Sequence, residues 1–121
     1  MEPVTGLSLG RIAIGAVALL SPRLAAKLFL LDGSANPQLP YMTRLFGARE
    51  VALGAATLTA TGTAQRNLVA IGVAVDAADV ATGVVGAQRG EVGRVAGGGL
   101  SAIALGAVGA GIAALALARK G

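Results

Sequence analysis

Four apolar stretches, at about residues 4–20, 41–62, 67–87 and 93–118, occupy most of the chain, each close to the ~20 residues an α-helix needs to cross a bilayer. Hydrocarbon offers the backbone no water to bond, so such segments must satisfy their N–H and C=O groups internally. The expectation is all-α: a four-helix transmembrane up-down bundle, one domain over residues 1–121, integral to the inner (cytoplasmic) membrane. Composition agrees, with 55% apolar and 13% charged residues and a mean hydropathy of +0.74. A soluble domain carries about 25% charged residues. Ala and Gly dominate and aromatics are scarce, which suits helices that associate by close backbone approach in lipid better than a core packed from water.

Short connectors at 61–67 and 88–91 imply sequential antiparallel neighbours. Between the first two spans, Ser21-Pro22 can cap and open a short helix over about 22–31. Leu24, Leu28 and Leu31 share one of its faces and Arg23 and Lys27 another, so it is expected to lie in the membrane interface. One Pro-kinked helix from 4 to 31 is the alternative. Glu2 in place of a basic cluster, and Arg11 within the first apolar stretch, argue against a cleaved signal peptide. Arg23, Lys27, Arg89 and Arg94 fall on one side, against Arg66, Arg119 and Lys120 on the other. The positive-inside rule then puts the loops after spans one and three in the cytoplasm.

Several chemistries are excluded by residue type. Without Cys or His there are no disulfides, thiolates, imidazole relays or zinc sites of known type, and no cofactor is implied. The net charge of +4 raises nucleic acid as a partner, but the basic residues are scattered and there is no Trp to stack bases. Membrane lipids are the expected partners instead. Gly109-Ala110-Gly111-Ile112-Ala113-Ala114 matches a dinucleotide fingerprint by letters, but no strand precedes it.

The informative residues are ionisable and sit near mid-span: Arg11 in the first span, Arg49 and Glu50 in the second, Asp76 and Asp79 in the third, with Arg44 about one and a half turns nearer the interface. Each costs a few kcal/mol at a helix centre, so such groups turn inward and pair. Three bases against three acids can make a neutral cluster. Three stripes converge on it: Ser8, Arg11, Gly15 and Ala18; Arg44, Gly47, Glu50, Gly54, Thr57 and Thr61; and Gly72, Asp76, Asp79, Gly83 and Gly86. Arg49 lies about 100° round the helix from Glu50 and is expected to meet a different neighbour. A purely structural network could fix helix register, but six ionisable groups exceed that need.

The run Arg44-Leu45-Phe46-Gly47-Ala48-Arg49-Glu50, followed by Asp76-Ala77-Ala78-Asp79, resembles a group of small four-helix membrane proteins common in actinobacteria. These carry Arg-Leu-x-Gly-x-Arg-acid in the second span and Asp-x-x-Asp in the third. The resemblance covers most of the chain and implies a fold without an activity. Small multidrug-resistance transporters are similar in span number, but they use a Glu in the first span and aromatics around the drug, where this chain has Arg11 and almost no aromatics.

Four functions fit these residues. In the first, Arg11, Arg44, Arg49, Glu50, Asp76 and Asp79 bind the polar end of a lipophilic small molecule. In the second, Asp76, Asp79 or Glu50 is the general acid or base of an isomerase or cyclase acting on a lipid-soluble substrate. In the third, the Gly-rich fourth span docks a homo-oligomer or a larger membrane complex. Ion transport is the fourth, opposed by the arginines. The same arginines weigh against a metal on the three acids. Binding demands the least of the geometry and is the leading expectation.

Overall fold

The computed structural model describes residues 3–120, with side chains through residue 117. Glu2 and the side chains of Arg119 and Lys120, on which the signal-peptide and orientation arguments leaned, lie outside that range. The fold is all-helical, with no strand among the described residues: α1 (Pro3–Leu20), α2 (Pro22–Leu28), α3 (Leu39–Thr59), α4 (Gly62–Gln88) and α5 (Arg94–Lys120). Three helices, α1, α4 and α5, are long and apolar enough to cross a membrane, which is consistent with a membrane protein. The 21-residue α3 is long enough, but its arginines and glutamate leave it less apolar than the others.

Two boundaries differ from expectation. Gly62 makes the turn at φ +59°, and nothing in Thr63–Leu68 breaks a helix, so α4 starts within the supposed connector and only Ala60 and Thr61 link it to α3. Gln65 then donates from Nε2 to the Thr57 carbonyl at 3.1 Å, tying the first turn of α4 to the last of α3. The segment after α1 is a separate helix, because Ser21 leaves helical geometry at φ −142°, ψ 76°. Its hydroxyl makes no capping bond; Pro22 at the first helical position, with φ already fixed, opens α2 instead. This helix is shorter than expected and packs through Pro22, Ala25 and Ala26, leaving Leu24 and Leu28 exposed.

The helices associate as two tight pairs. In α1 and α3, Gly15 and Gly47 bring the backbones into contact: a Cβ on Gly15 would sit 2.6 Å from the Gly47 carbonyl oxygen, and one on Gly47 2.7 Å from that of Gly15. One end further on, Gly54 meets Ser8 in the same way, so the two helices run in opposite senses. The α4 and α5 pair repeats the device, with Gly83 against Gly97 and Ser101, and Gly111 against Val73. Ser101 Oγ also donates to the Val80 carbonyl at 3.2 Å.

Burial is distributed inside out relative to a water-soluble protein. The core holds Ala18, Ala25, Ala26, Val69, Ala96 and Ala114, together with Ser8, Arg11, Thr43, Glu50, Thr57 and Asp76. The large apolar side chains, among them Leu20, Leu45, Ile71, Ile103, Leu105 and Ile112, point outward. Water makes such a surface unfavourable; lipid makes it neutral, and polar groups then gather inside.

Candidate functional site

Arg11, Glu50 and Asp76 meet where α1, α3 and α4 come together, each at most 7% exposed. Helix periodicity places them. Ser8, Arg11, Gly15 and Ala18 form the buried stripe of α1, as expected, while Asp76 continues the Val69 and Gly72 face of α4. Gly72 is part of the geometry, since a Cβ there would stand 2.8 Å from Nη2 of Arg11; its missing side chain is the space the guanidinium fills.

The guanidinium of Arg11 is forked onto Asp76, with Nη1 donating to Oδ1 at 3.0 Å and Nη2 to Oδ2 at 2.5 Å. Its Nη1 donates as well to Glu50 Oε2 at 3.0 Å. Arg49 makes a second, more exposed fork: Nη2 donates to Asp79 Oδ2 at 3.0 Å and to Glu50 Oε1 at 2.9 Å, and Nη1 reaches Asp79 Oδ1 at 3.5 Å. So Arg49 does find a new neighbour in Asp79, yet also folds back on Glu50. Its guanidinium lies 5.1 Å from the ring centre of Phe46, a cation–π contact, and Phe46 meets Phe29 edge to face at 5.8 Å. Glu50 therefore joins the two arginines, and one chain of charge runs Asp76, Arg11, Glu50, Arg49, Asp79.

Arg44 is not brought into this cluster. It is exposed and makes no ion pair among the described residues. Six residues before Glu50, it lies about 120° short of two full turns. The face that turns inward is Thr43, Gly47, Glu50, Gly54 and Thr57, whose alternating spacing of four and three holds one side of the helix; Thr61 falls outside α3 altogether. The expected balance of three bases against three acids changes with it: two guanidiniums face three carboxyl groups, a formal charge of −1.

A groove of about 520 Å³ opens over this cluster between the two helix pairs. Leu7, Ile14, Met42, Phe46, Leu100 and Ile103 are among its walls, and Arg11, Glu50, Asp76 and Asp79 are its charged lining. Thr43, 6% exposed, contributes a hydroxyl to the same lining. Sequence reasoning missed Thr43 and the Phe29–Phe46 wall. The four-and-seven spacing of Thr43 before Gly47 and Glu50 was a usable signal; the aromatic pair had none, because Phe29, in the turn after α2, and Phe46, in α3, meet only in the tertiary structure.

One oxygen from each of Glu50, Asp76 and Asp79 lies within 4.8 Å of the others, hard ligands of the kind a magnesium-type ion takes. Both guanidiniums already donate to these carboxylates through six hydrogen bonds, so a divalent ion would have to displace them. Chemically the arrangement can hold charge in a fixed place, present carboxyl oxygens to a bound molecule and exchange a proton with it. Compared with known protein families, with curated proteins and with solved structures, the chain matches none.

Proposed function

We propose that this is a four-span protein of the cytoplasmic membrane, an up-down bundle in which α3 crosses the bilayer with α1, α4 and α5, and that its intramembrane charge cluster binds the polar end of a lipophilic molecule. The crossing of α3 is supported by its length and by its sidedness, since Glu50 and Thr57 turn inward while Leu45 and Leu58 turn out. Binding rests on one observation: the apolar-walled groove of about 520 Å³ has Arg11, Glu50, Asp76 and Asp79 in its lining. A cleft of that size, with a few convergent polar groups, is what a small amphipathic ligand needs. The likeness to the actinobacterial four-helix group is in keeping with this reading.

The test is native mass spectrometry of the protein released from mild detergent. Wild type should carry a co-purifying small amphiphile; Ala104→Phe, which fills the α5 wall of the groove, should arrive bare. Identical adducts on Ala104→Phe and on Arg11→Ala would sink the reading.

One observation favours a second reading. Three carboxyl groups share two guanidiniums, so the acids outnumber the fixed positive charges and one of them can carry an exchangeable proton, as a general acid or base does. An isomerase or cyclase acting on a lipid-soluble substrate is the reaction class this suits, with Asp76, Asp79 or Glu50 carrying the proton. Turnover that survives Asp76→Asn and Asp79→Asn would dispose of it.

A further inference from the structure

We infer that the molecule held in the groove is a lipophilic monocation, an apolar body with an alkylammonium-type head, rather than an oxyanion. The inference rests on the binding role proposed above and names the ligand's chemistry.

Arginines in an apolar setting ordinarily suggest a carboxylate or phosphate ligand. Here most of their donors are already directed elsewhere. Arg11 spends both terminal nitrogens on Glu50 and Asp76, and Arg49 spends both on Glu50 and Asp79. An oxyanion would have to compete with these carboxylates for guanidinium charge, since three of the five N–H groups of each arginine are already given to them. It would also add negative charge to a cluster that carries −1 without it, in surroundings where an unbalanced charge is costly.

What the groove lacks is one positive charge. A proton could supply it, but a proton leaves apolar walls of this extent without an occupant. A cationic head with an apolar tail satisfies both features. Asp79 is the natural counter-charge: it lines the groove, its side chain is 36% exposed, and among the described residues it is held only through Arg49, which it shares with Glu50. Thr43 adds a neutral acceptor in the same lining; among the described residues no group hydrogen-bonds its hydroxyl.

Decylamine, protonated at neutral pH, and decanoate carry one tail and opposite heads, so their comparison isolates the head. Binding to the purified full chain in dodecylmaltoside is followed by equilibrium dialysis, with protein-free micelles subtracted. The expected result is saturable binding of decylamine at least about tenfold tighter than decanoate. Asp79→Asn should bring the two probes within about threefold, while Asp79→Glu keeps the preference. Each variant is first matched to wild type in size-exclusion profile and helical circular dichroism, and the Glu variant answers the case in which Asn does not fold.

Decanoate bound as tightly as decylamine, or a preference untouched by Asp79→Asn, overturns the cationic head. Saturable binding that Ala104→Phe abolishes would in that case leave the binding role standing. Failure of both probes to saturate wild type overturns the two together.

Discussion

Arg11 and Asp76, 65 positions apart in the chain, face each other as a two-pronged pair across the seam between the α1–α3 and α4–α5 helix pairs. Within each pair, glycines give backbone contact. Between the pairs, buried charge makes the central bond and Gln65 ties α4 to α3 at one end, beside a groove that leaves part of the seam unfilled. The ion pairs therefore do two jobs, joining the halves and furnishing the groove with polar groups.

Removing one partner should be worse than removing both. Arg11→Ala strands Asp76, leaves Glu50 with Arg49 alone, and is expected to lower stability by about 3–5 kcal/mol, whereas Arg11→Met combined with Asp76→Leu should lose less than the sum of the single changes. Arg11→Lys should recover little, because an ammonium cannot reproduce the fork. Unfolding in mixed micelles, run as a double-mutant cycle, measures the coupling; additive losses would show that the pair does not join the halves.

The glycines should separate into two classes. Gly47→Ala drives a methyl against the Gly15 carbonyl and is expected to destabilise by about 1–3 kcal/mol. Gly106→Ala meets nothing within 4 Å and should leave stability unchanged or slightly raised. Thermal melts of the two variants in one detergent check the contrast.

Two left-handed residues predict opposite signs. Leu30 closes α2 at φ 60°, with Leu31 N–H bonded to the Ala26 carbonyl, and is largely exposed. Leu30→Gly should stabilise by about 1 kcal/mol by removing the Cβ penalty. Gly90 closes α4 at φ 72°, and Gly90→Ala should cost about 1 kcal/mol. Equal shifts in one direction would contradict both assignments.

The loop after α2 should respond to acid. Asp32 accepts hydrogen bonds from the Ser34 hydroxyl at 2.7 Å, from the Ala35 N–H at 3.2 Å and from the Ser34 N–H at 3.0 Å, which hold its carboxyl below the usual range. A lowered native value means the carboxylate favours the fold in full above about pH 4, the unfolded value, and the contribution disappears as pH falls through the native one. The stability gap between wild type and Asp32→Asn should therefore be constant near neutrality and close under acid. A gap that widened there would reverse the sign.

Much of the fold was readable because its signals are one-dimensional. Apolar length marked the four long helices, Pro22 marked the start of α2, and three-and-four spacing placed Ser8, Arg11, Gly15 and Ala18 on one stripe. The α3 stripe was misread through Arg44, since successive steps of three drift round a helix while alternating fours and threes do not. Likewise the start of α4 was lost because a single positive-φ glycine does the work assigned to a longer loop.

What the amino-acid order determined alone was helix, hydrocarbon compatibility and the expectation that Arg11, Glu50 and Asp76 turn inward, because those follow from backbone hydrogen bonding and from the cost of each charge separately. Partnership was decided only in three dimensions. That Arg49 takes Asp79 and shares Glu50, that Arg44 stands apart, and that a groove remains between the helix pairs all depend on helix rotation and on where glycines let backbones touch, quantities that arise only when the surfaces are packed against one another.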